Sequence, residues 1–443
     1  MATTPTATVL LLDLPQAALA GIDLLSFTTT PKFQGVRGLP PGWHFVFTST
    51  NSSLSIRHGV WFRVQGTREG PPEIFVKKWD AAREELDDET DQAEVLRWRG
   101  NLGSIWRERL TPYRQTVPQP AGVDDLSKQS PTVAEEHEDL DEGFDWAKLT
   151  SHITDLLLSR ITGQARDHWS LTTGSSAKRD LDNIPGLSSV EDEIASEKEL
   201  GFLPIDLKRT WRAEATGRER TEAARDRSWA LGDIVERCCS KQYGVMEVLG
   251  ELQFCFLMIL TLNNYSCLEQ WKRILQLVFT CTDAVKRWPE FFVAFLATLR
   301  LQLQHCQDVE GGLIDLSGEG ATLLKSLLRR FKRGLDEISG KEKSEVMDEL
   351  EDLEDYLRTQ HGWQLNDSFV KHGMLELEDG ERVEMDFGED DEDEETGEYA
   401  PVIVNMSQVG DVEGSHKVAK GRLSDSASDE EDEQELDDMD ARY

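Results

Sequence analysis

The run VMEVLGELQFCFLMILTL, residues 245–262, constrains the fold more than any other stretch. Wound as a helix it is apolar on every side, so it belongs at the centre of other elements rather than on a surface. Its most apolar part, FCFLMILTL at 254–262, is about half of what a membrane span requires, so the expectation is a buried core helix. Five further helical candidates flank it: TEAARDRSWALGDIVERCC, YSCLEQWKRILQLVF, PEFFVAFLATLRLQLQ, GATLLKSLLRRFKRGL and EKSEVMDELEDLEDYLRTQ. In the second of these, Leu268, Trp271, Leu275 and Val278 share one stripe, while Glu269, Lys272 and Arg273 face out. Breaks fall at Asn263–Asn264, at Pro289 and at DVEGG (308–312). Short connections favour antiparallel neighbours in a bundle or helical superhelix.

The first 80 residues have a different period. TVLLLDL, GWHFVFTST, GVWFRVQ and EIFVKKW are rich in β-branched and aromatic residues and are bounded by Gly, Pro, Asn and Ser, which predicts strands. GTREGPP (66–72) reads as a hairpin loop between the last two. From Ala81 to Leu110 the period becomes helical, with Val95, Trp98, Leu102, Ile105 or Trp106, and Leu110 on one face, and LTPYRQTVPQP ends that helix. FDWAKLTSHITDLLLSRI (144–161) reads as one helix, with Trp146, Leu149, Ile153, Leu156 or Leu157, and Ile161 in phase. Residues 162–200 are polar and read as loose.

Composition then sets the outer limits. A chain of 443 residues with 38% hydrophobic residues and twelve Trp can build more than one core. Its net charge of −36 is uneven: residues 376–443 hold 26 acidic and 5 basic residues, a net −21, leaving −15 for the rest. The tail reads as a disordered acidic arm, and such a chain is a poor direct binder of nucleic acid. TVLLLDLP is too short for a secretory core, is interrupted by Asp13, and has no Lys or Arg before Lys32, so no signal peptide is expected. All six Cys lie between Cys238 and Cys306 without a C-x-x-C spacing, which predicts reduced, mostly buried thiols. The expected fold class is α+β multidomain. A β-rich domain (1–115) precedes a flexible acidic linker (116–145), a linker helix with a loose polar segment (146–220), an all-α domain (221–362) and an acidic disordered tail (363–443).

No catalytic motif is present: there is no G-x-x-x-x-G-K-[ST], G-x-G-x-x-G, H-E-x-x-H or G-x-S-x-G. His44 sits inside an aromatic strand and reads as a packed residue rather than a metal ligand. Asp87 and Asp88 belong to a charged surface segment, so an acid-pair hydrolase has no positive support. PKFQGVRGLPPGWHFVF (31–47) could suggest a phosphate cradle. Such a cradle needs backbone N–H groups with a helix behind them. Here Pro40–Pro41 removes two donors and a strand follows, so the stretch is a structural turn.

These residues carry a family resemblance. GIDLLSFTTTPKFQGVRGLPPGWHFVF (21–47) resembles the N-terminal signature of the Aar-two splicing factor family, in Gly21, Ile22, Asp23, Pro31, Lys32, Phe33, Gly35, Val36, Pro40, Pro41, Gly42, His44 and Phe45. EVLGELQFCFLMILTLNNYSCLEQWKRILQLV (247–278) is similar to the family's long helical pair, in Gly250, Glu251, Leu252, Gln253, Trp271 and Lys272. LTPY (110–113), WAKLTSHI (146–153) and DRSWAL (226–231) are weaker echoes, and YAPVIVNM (399–406) looks like the family's C-terminal strand.

The resemblance implies a β-rich domain followed by a VHS-like helical domain, no enzymatic activity, no cofactor and no metal. It implies an assembly factor of the U5 small nuclear ribonucleoprotein that binds the large spliceosomal scaffold protein through its RNase H-like, endonuclease-like and JAB/MPN-like domains. Helicase and RNA are held off until nuclear maturation. A monomer, cytoplasmic and then nuclear, without direct nucleic-acid or membrane binding, is expected. Tyr399, Ala400, Pro401, Val402, Ile403 and Val404 are the expected partner-binding residues, adding a strand to a partner's sheet edge. Ser424, Ser426 and Ser428 are candidate phosphorylation sites, the last two with acids three residues on. RRFKRG (329–334) reads as a solvated helix face rather than a nuclear localisation signal. A VHS-like trafficking adaptor is the alternative on fold analogy alone.

Overall fold

The structure, a computed structural model, describes residues 7–51, 56–66, 72–114, 145–165, 168–181, 199–306, 319–338, 340–363, 372–376 and 382–386. Two compact units emerge, residues 1–367 and 368–443. In the second, His372–Glu376 and Arg382–Asp386 pair as an antiparallel hairpin. The expected partner-binding residues Tyr399–Val404 and the candidate phosphorylation sites Ser424, Ser426 and Ser428 lie outside the described residues.

The first unit opens with two five-stranded sheets. One holds β1 (Ala7–Leu12), β4 (Gly35–Leu39), β7 (Ile74–Asp80), β8 (Glu85–Asp88) and β9 (Leu110–Pro112), in the order β8-β7-β1-β4-β9. The other holds β2 (Leu19–Ile22), β3 (Leu25–Thr28), β5 (Gly42–Ser49), β6 (His58–Val64) and β10 (Ser170–Thr172), in the order β10-β6-β5-β2-β3, antiparallel throughout. Val9, Leu11, Val36 and Leu39 of the first meet Ile22, Val46, Val60, Phe62 and Val64 of the second, so the sheets form a sandwich. Each sheet is covered on its outer face as well. Helix α1 (Gln92–Ile105) lies on the first, against Leu10, Leu12 and Val76. The helical region lies on the second, through Trp43, Phe45, Phe47 and Trp61. Burial on both faces explains why β1 and β5 read as continuous apolar runs without alternation.

Three expectations are corrected here. GTREGPP does not close a hairpin, because β6 and β7 belong to different sheets and β7 runs parallel to β1. The crossing lets Phe75 of β7 pack on Phe62 of β6 across the sandwich, with ring centroids 4.6 Å apart. The helix expected from Ala81 starts only at Gln92, where the Asp91 side chain accepts from the Ala93 N–H, and β8 precedes it. LTPY ends no helix but forms β9, pairing in parallel with β4.

The helices are α2 (Asp155–Thr162), α3 (Lys178–Leu181), α4 (Gly217–Arg225), α5 (Ser228–Cys238), α6 (Met246–Leu262), α7 (Tyr265–Val278), α8 (Pro289–Gln304), α9 (Glu319–Glu337) and α10 (Glu342–His361). Helix α6 is the apolar run of the sequence, and every residue from Glu247 to Leu262 is buried. Its Phe254 stacks on Trp61 of β6 at 6.2 Å, and Trp61 on Trp146 at 6.0 Å, so one core joins sheet and helices. The six cysteines are free, and burial pushes the Cys239 thiol up to about 12.

The Asn263–Asn264 break has a specific role. Asn263 takes a left-handed conformation (φ 52°) that ends α6. Asn264 caps α7 by accepting from Cys267 N–H, and its amide donates to the carbonyls of Thr172, Thr173 and Ser175. Residues 168–181, within the segment read as loose, are thereby tied to the helices. Asn264→Ala is expected to cost about 2–4 kcal/mol, from a lost cap and orphaned buried carbonyls. Urea denaturation should show the midpoint moving at constant slope; an unchanged midpoint would remove this role.

Candidate partner-docking site

The signature residues gather into two buried braces. The first is built on Asp23, in the tight turn between β2 and β3, where its φ of 55° is left-handed. Its side chain is fully buried and surrounded by donors. Oδ1 accepts from Phe45 N–H at 2.8 Å, while Oδ2 lies 2.7 Å from His44 Nδ1 and 2.5 Å from the Tyr113 hydroxyl. The Asp23 N–H in turn donates to the Phe45 carbonyl. On its other side His44 Nε2 lies 2.9 Å from the Pro40 carbonyl oxygen, so the Pro-Pro-Gly turn is held to the sheet through the imidazole. Gly21 is required beside it, since a Cβ there would lie 2.1 Å from the Phe47 ring. Phe33 packs edge-on against Phe27, and Pro31 and Lys32 are exposed.

Both nitrogens of His44 face acceptors, which favours the doubly protonated ring. Burial by itself lowers the pKa of His44, but the charge of Asp23, its hydrogen bond and the Pro40 carbonyl outweigh this and raise it. Burial, then the charge of Asp23, raises the Tyr113 hydroxyl far above its usual range, so it stays a donor. A raised folded-state pKa stabilises fully below the unfolded value of about 6.5 and loses that contribution as pH climbs through the folded value. Thermal melts of wild type and His44→Gln should therefore differ most at the acid end and converge as pH rises. A gap that widened with pH would contradict this assignment.

The second brace is GELQ on α6. The segment expected as a single helix over 144–161 is two pieces: a helical turn at 145–149 and α2, which starts after Thr154 caps it. Gln253 makes the break tolerable. Its Oε1 accepts from His152 N–H at 2.9 Å, and its Nε2 donates to the Lys148 carbonyl and the Ser151 hydroxyl, each at 3.0 Å. Gly250 permits the approach, because a Cβ there would lie 2.4 Å from the His152 carbonyl oxygen.

Glu251, with 0% exposure, accepts from Leu203 N–H at 3.0 Å and from Gln270 Nε2 at 2.7 Å, and pairs with Arg160 of α2 at 2.8 Å. Leu252 is buried beside it. Trp271 is anchored by Gln302 at 2.9 Å, while Lys272 makes a surface pair with Glu269. Replacing Glu251 with Leu would remove the carboxylate partner of Arg160, leave the Leu203 N–H unsatisfied and cost Gln270 one of its acceptors. We expect a loss of about 3–5 kcal/mol in urea denaturation, against under about 1 kcal/mol for Lys272→Ala.

Between the braces lies an open cleft of about 780 Å³. Pro40, Pro41 and Trp43 form one side, Trp146 and the start of α2 another, and Gln242–Tyr243 the third. Its floor is satisfied internally: Trp146 Nε1 donates to the Trp43 carbonyl at 2.7 Å. Its mouth is apolar, with Leu156 56% exposed and Tyr243 37% exposed. Arg63, stacked over Trp43 at 5.4 Å and 3.6 Å from Asp155, marks the polar rim. Such a cleft can seat an apolar side chain of a partner. Sequence reasoning left Leu156 and Leu157 as alternatives for the buried stripe; Leu157 is buried, and the exposed one is a cleft residue. Tyr113, Arg160 and Gln270 were invisible to pattern reading, although LTPY flagged the first. Among the described residues no group of three His, Cys, Asp or Glu is set to hold a metal ion, and no helix is long and apolar enough to cross a membrane.

The two braces map onto two family matches. The profile described as AAR2 N-terminal domain matches residues 5–163, and that described as AAR2 C-terminal repeat region matches residues 202–366. The chain belongs to the AAR2 family. Protein AAR2 homolog of Mus musculus is 26% identical over 324 residues, 67% of this chain and 75% of that protein. The Caenorhabditis elegans homolog is 26% identical over 367 residues, 81% and 95%. The Homo sapiens homolog is 25% identical over 324 residues, 67% and 75%. Family membership supports a splicing-related role for this AAR2-family chain.

Proposed function

We propose that this AAR2-family protein is a non-enzymatic assembly chaperone of the U5 small nuclear ribonucleoprotein. It binds the large spliceosomal scaffold protein and keeps helicase and RNA away until maturation in the nucleus. The family assignment over both ordered regions carries this reading. The use made of the signature residues supports it. Asp23 and Glu251 are saturated with donors and both nitrogens of His44 are engaged, so these groups brace the fold rather than await a substrate. What the fold offers a partner is surface, including the apolar cleft. On this reading the protein acts as a monomer that moves from cytoplasm to nucleus.

The strand Tyr399–Met406 would contribute by adding to a sheet edge of the scaffold, with Val402 and Val404 on one side and Ile403 on the other. Phosphorylation at Ser424, Ser426 or Ser428 would add about −1.5 to −2 charges at each site and tune release. Calorimetry with the scaffold's RNase H-like and JAB/MPN-like domains tests both parts. Intact protein should bind, and a chain carrying Val402→Asp, Ile403→Asp and Val404→Asp should lose at least about tenfold in affinity, since each charge must enter a strand-lined pocket. Equal binding by both would move the energetics to the folded surfaces, and binding by neither would overturn the chaperone reading.

A further inference from the structure

One edge of the sandwich collects cations that have no acid to meet. From Arg107 to Arg114 the sequence holds three Arg against a single acid, Glu108, in a chain of net charge −36. The fold then adds two more from a distant segment. Gln34 N–H donates to the Arg109 carbonyl at 2.9 Å, setting Lys32 beside Arg109. β4 pairs with β9 so that Arg37 faces Pro112, and Tyr113 N–H donates to the Arg37 carbonyl at 2.8 Å, which brings Arg114 alongside. The Arg37 guanidinium lies over Trp106 at 5.1 Å, next to Arg107. Lys32, Arg107, Arg109 and Arg114 are exposed, and Arg37 is half-buried with no hydrogen-bond acceptor for its Nε.

Among the described residues no carboxylate lies within ion-pair distance of these five. Other cations of the fold are paired: Arg83 meets Asp80, Glu85 and Asp87, Arg300 meets Glu349 and Asp352, and Lys332 meets Glu354. Part of the cluster has a local use, since Arg107 and Arg109 follow the carbonyl end of α1 and oppose its dipole. That accounts for neither Lys32, Arg37 nor Arg114, which come from other elements.

We propose that the β9 edge, Lys32, Arg37, Arg107, Arg109 and Arg114, is a docking surface for an acidic, Asp/Glu-rich peptide segment of a protein partner. Guanidinium forks match carboxylates bidentately, and several unpaired forks on one edge suit a run of them. Charge complementarity selects an anion, and the aromatic groups select a peptide over single-stranded nucleic acid. Stacking of bases needs open aromatic faces. Trp98 and Trp106 instead pack toward the layer under α1, Trp106 also carries Arg37, and Tyr113 is held by Asp23 and packs against His44. The surface meets the apolar cleft at Tyr113, which lines it, and does not depend on the scaffold being the partner.

The test is fluorescence anisotropy of the full chain with a labelled oligo-glutamate peptide and with a single-stranded RNA of equal charge. The comparison is a triple variant, Arg107→Gln, Arg109→Gln and Arg114→Gln, at exposed positions, which should stay folded and lose only the small helix-end contribution to the melting temperature. The peptide should bind the wild type in a salt-sensitive way, and the variant should be weaker by roughly tenfold, as expected for three exposed pairs. Absence of peptide binding, or equal binding by the variant, overturns the proposal. Tighter binding of the RNA than of the peptide overturns it in favour of a nucleic-acid surface.

Discussion

A carboxylate with no exposed surface sits in the middle of the most apolar helix of the protein, and much of the architecture depends on it. Glu251 and its neighbour Gln253 interrupt an otherwise hydrophobic cylinder at the point where the chain from residue 145 to 162 returns across it. Burying a charge is costly unless it is paired and hydrogen-bonded. Here Arg160, Leu203 and Gln270 supply the partners, each from a different segment. The polar groups of α6 therefore act as a register mark: only one placement of the connecting segment and of residues 200–205 satisfies them all. Hydrophobic packing of Phe254 on Trp61 supplies the adhesion between sheet and helices, and it would tolerate a slip that Glu251 and Gln253 do not.

Asp23 performs the same function in the sandwich. It ends β2 in a left-handed conformation, which short Asp side chains adopt more readily than most. One carboxylate then gathers β5 through Phe45, the Pro-Pro-Gly turn through His44, and the residue after β9 through Tyr113. Both sheets are thus tied at one point close to the apolar cleft. The side chains that define the family are mostly internal struts, and the surfaces left for partners are made by residues that no motif emphasises.

That division explains how much could be read from the order of residues. The strands β1, β5, β6 and β7, the central helix and the amphipathic α7 are local patterns whose burial follows from composition, and each stands where its run predicts. His44 reads as a packed residue, and it is one. The segment 168–181 looked polar because Thr172, Thr173 and Ser175 serve as partners for Asn264 across some 90 residues of chain. Lys77, in the strand run EIFVKKW, is buried and paired with Asp88 of β8. Neither case has a local signal, because the compensating group lies on another element.

The sequence by itself determined where the apolar runs lie and which of them are strands and which are helices. Those outcomes follow from side-chain volume, periodicity and backbone sterics within a short stretch of chain. Tertiary structure alone decided that β6 and β7 part into different sheets, that the segment 144–161 breaks, and that five cations share one edge without an acid. In each of these the free energy is set by a contact between residues far apart in the chain: Phe75 on Phe62, Gln253 on the broken turn, and Gln34 on Arg109. Partnerships of that kind exist only once the layers have been assembled.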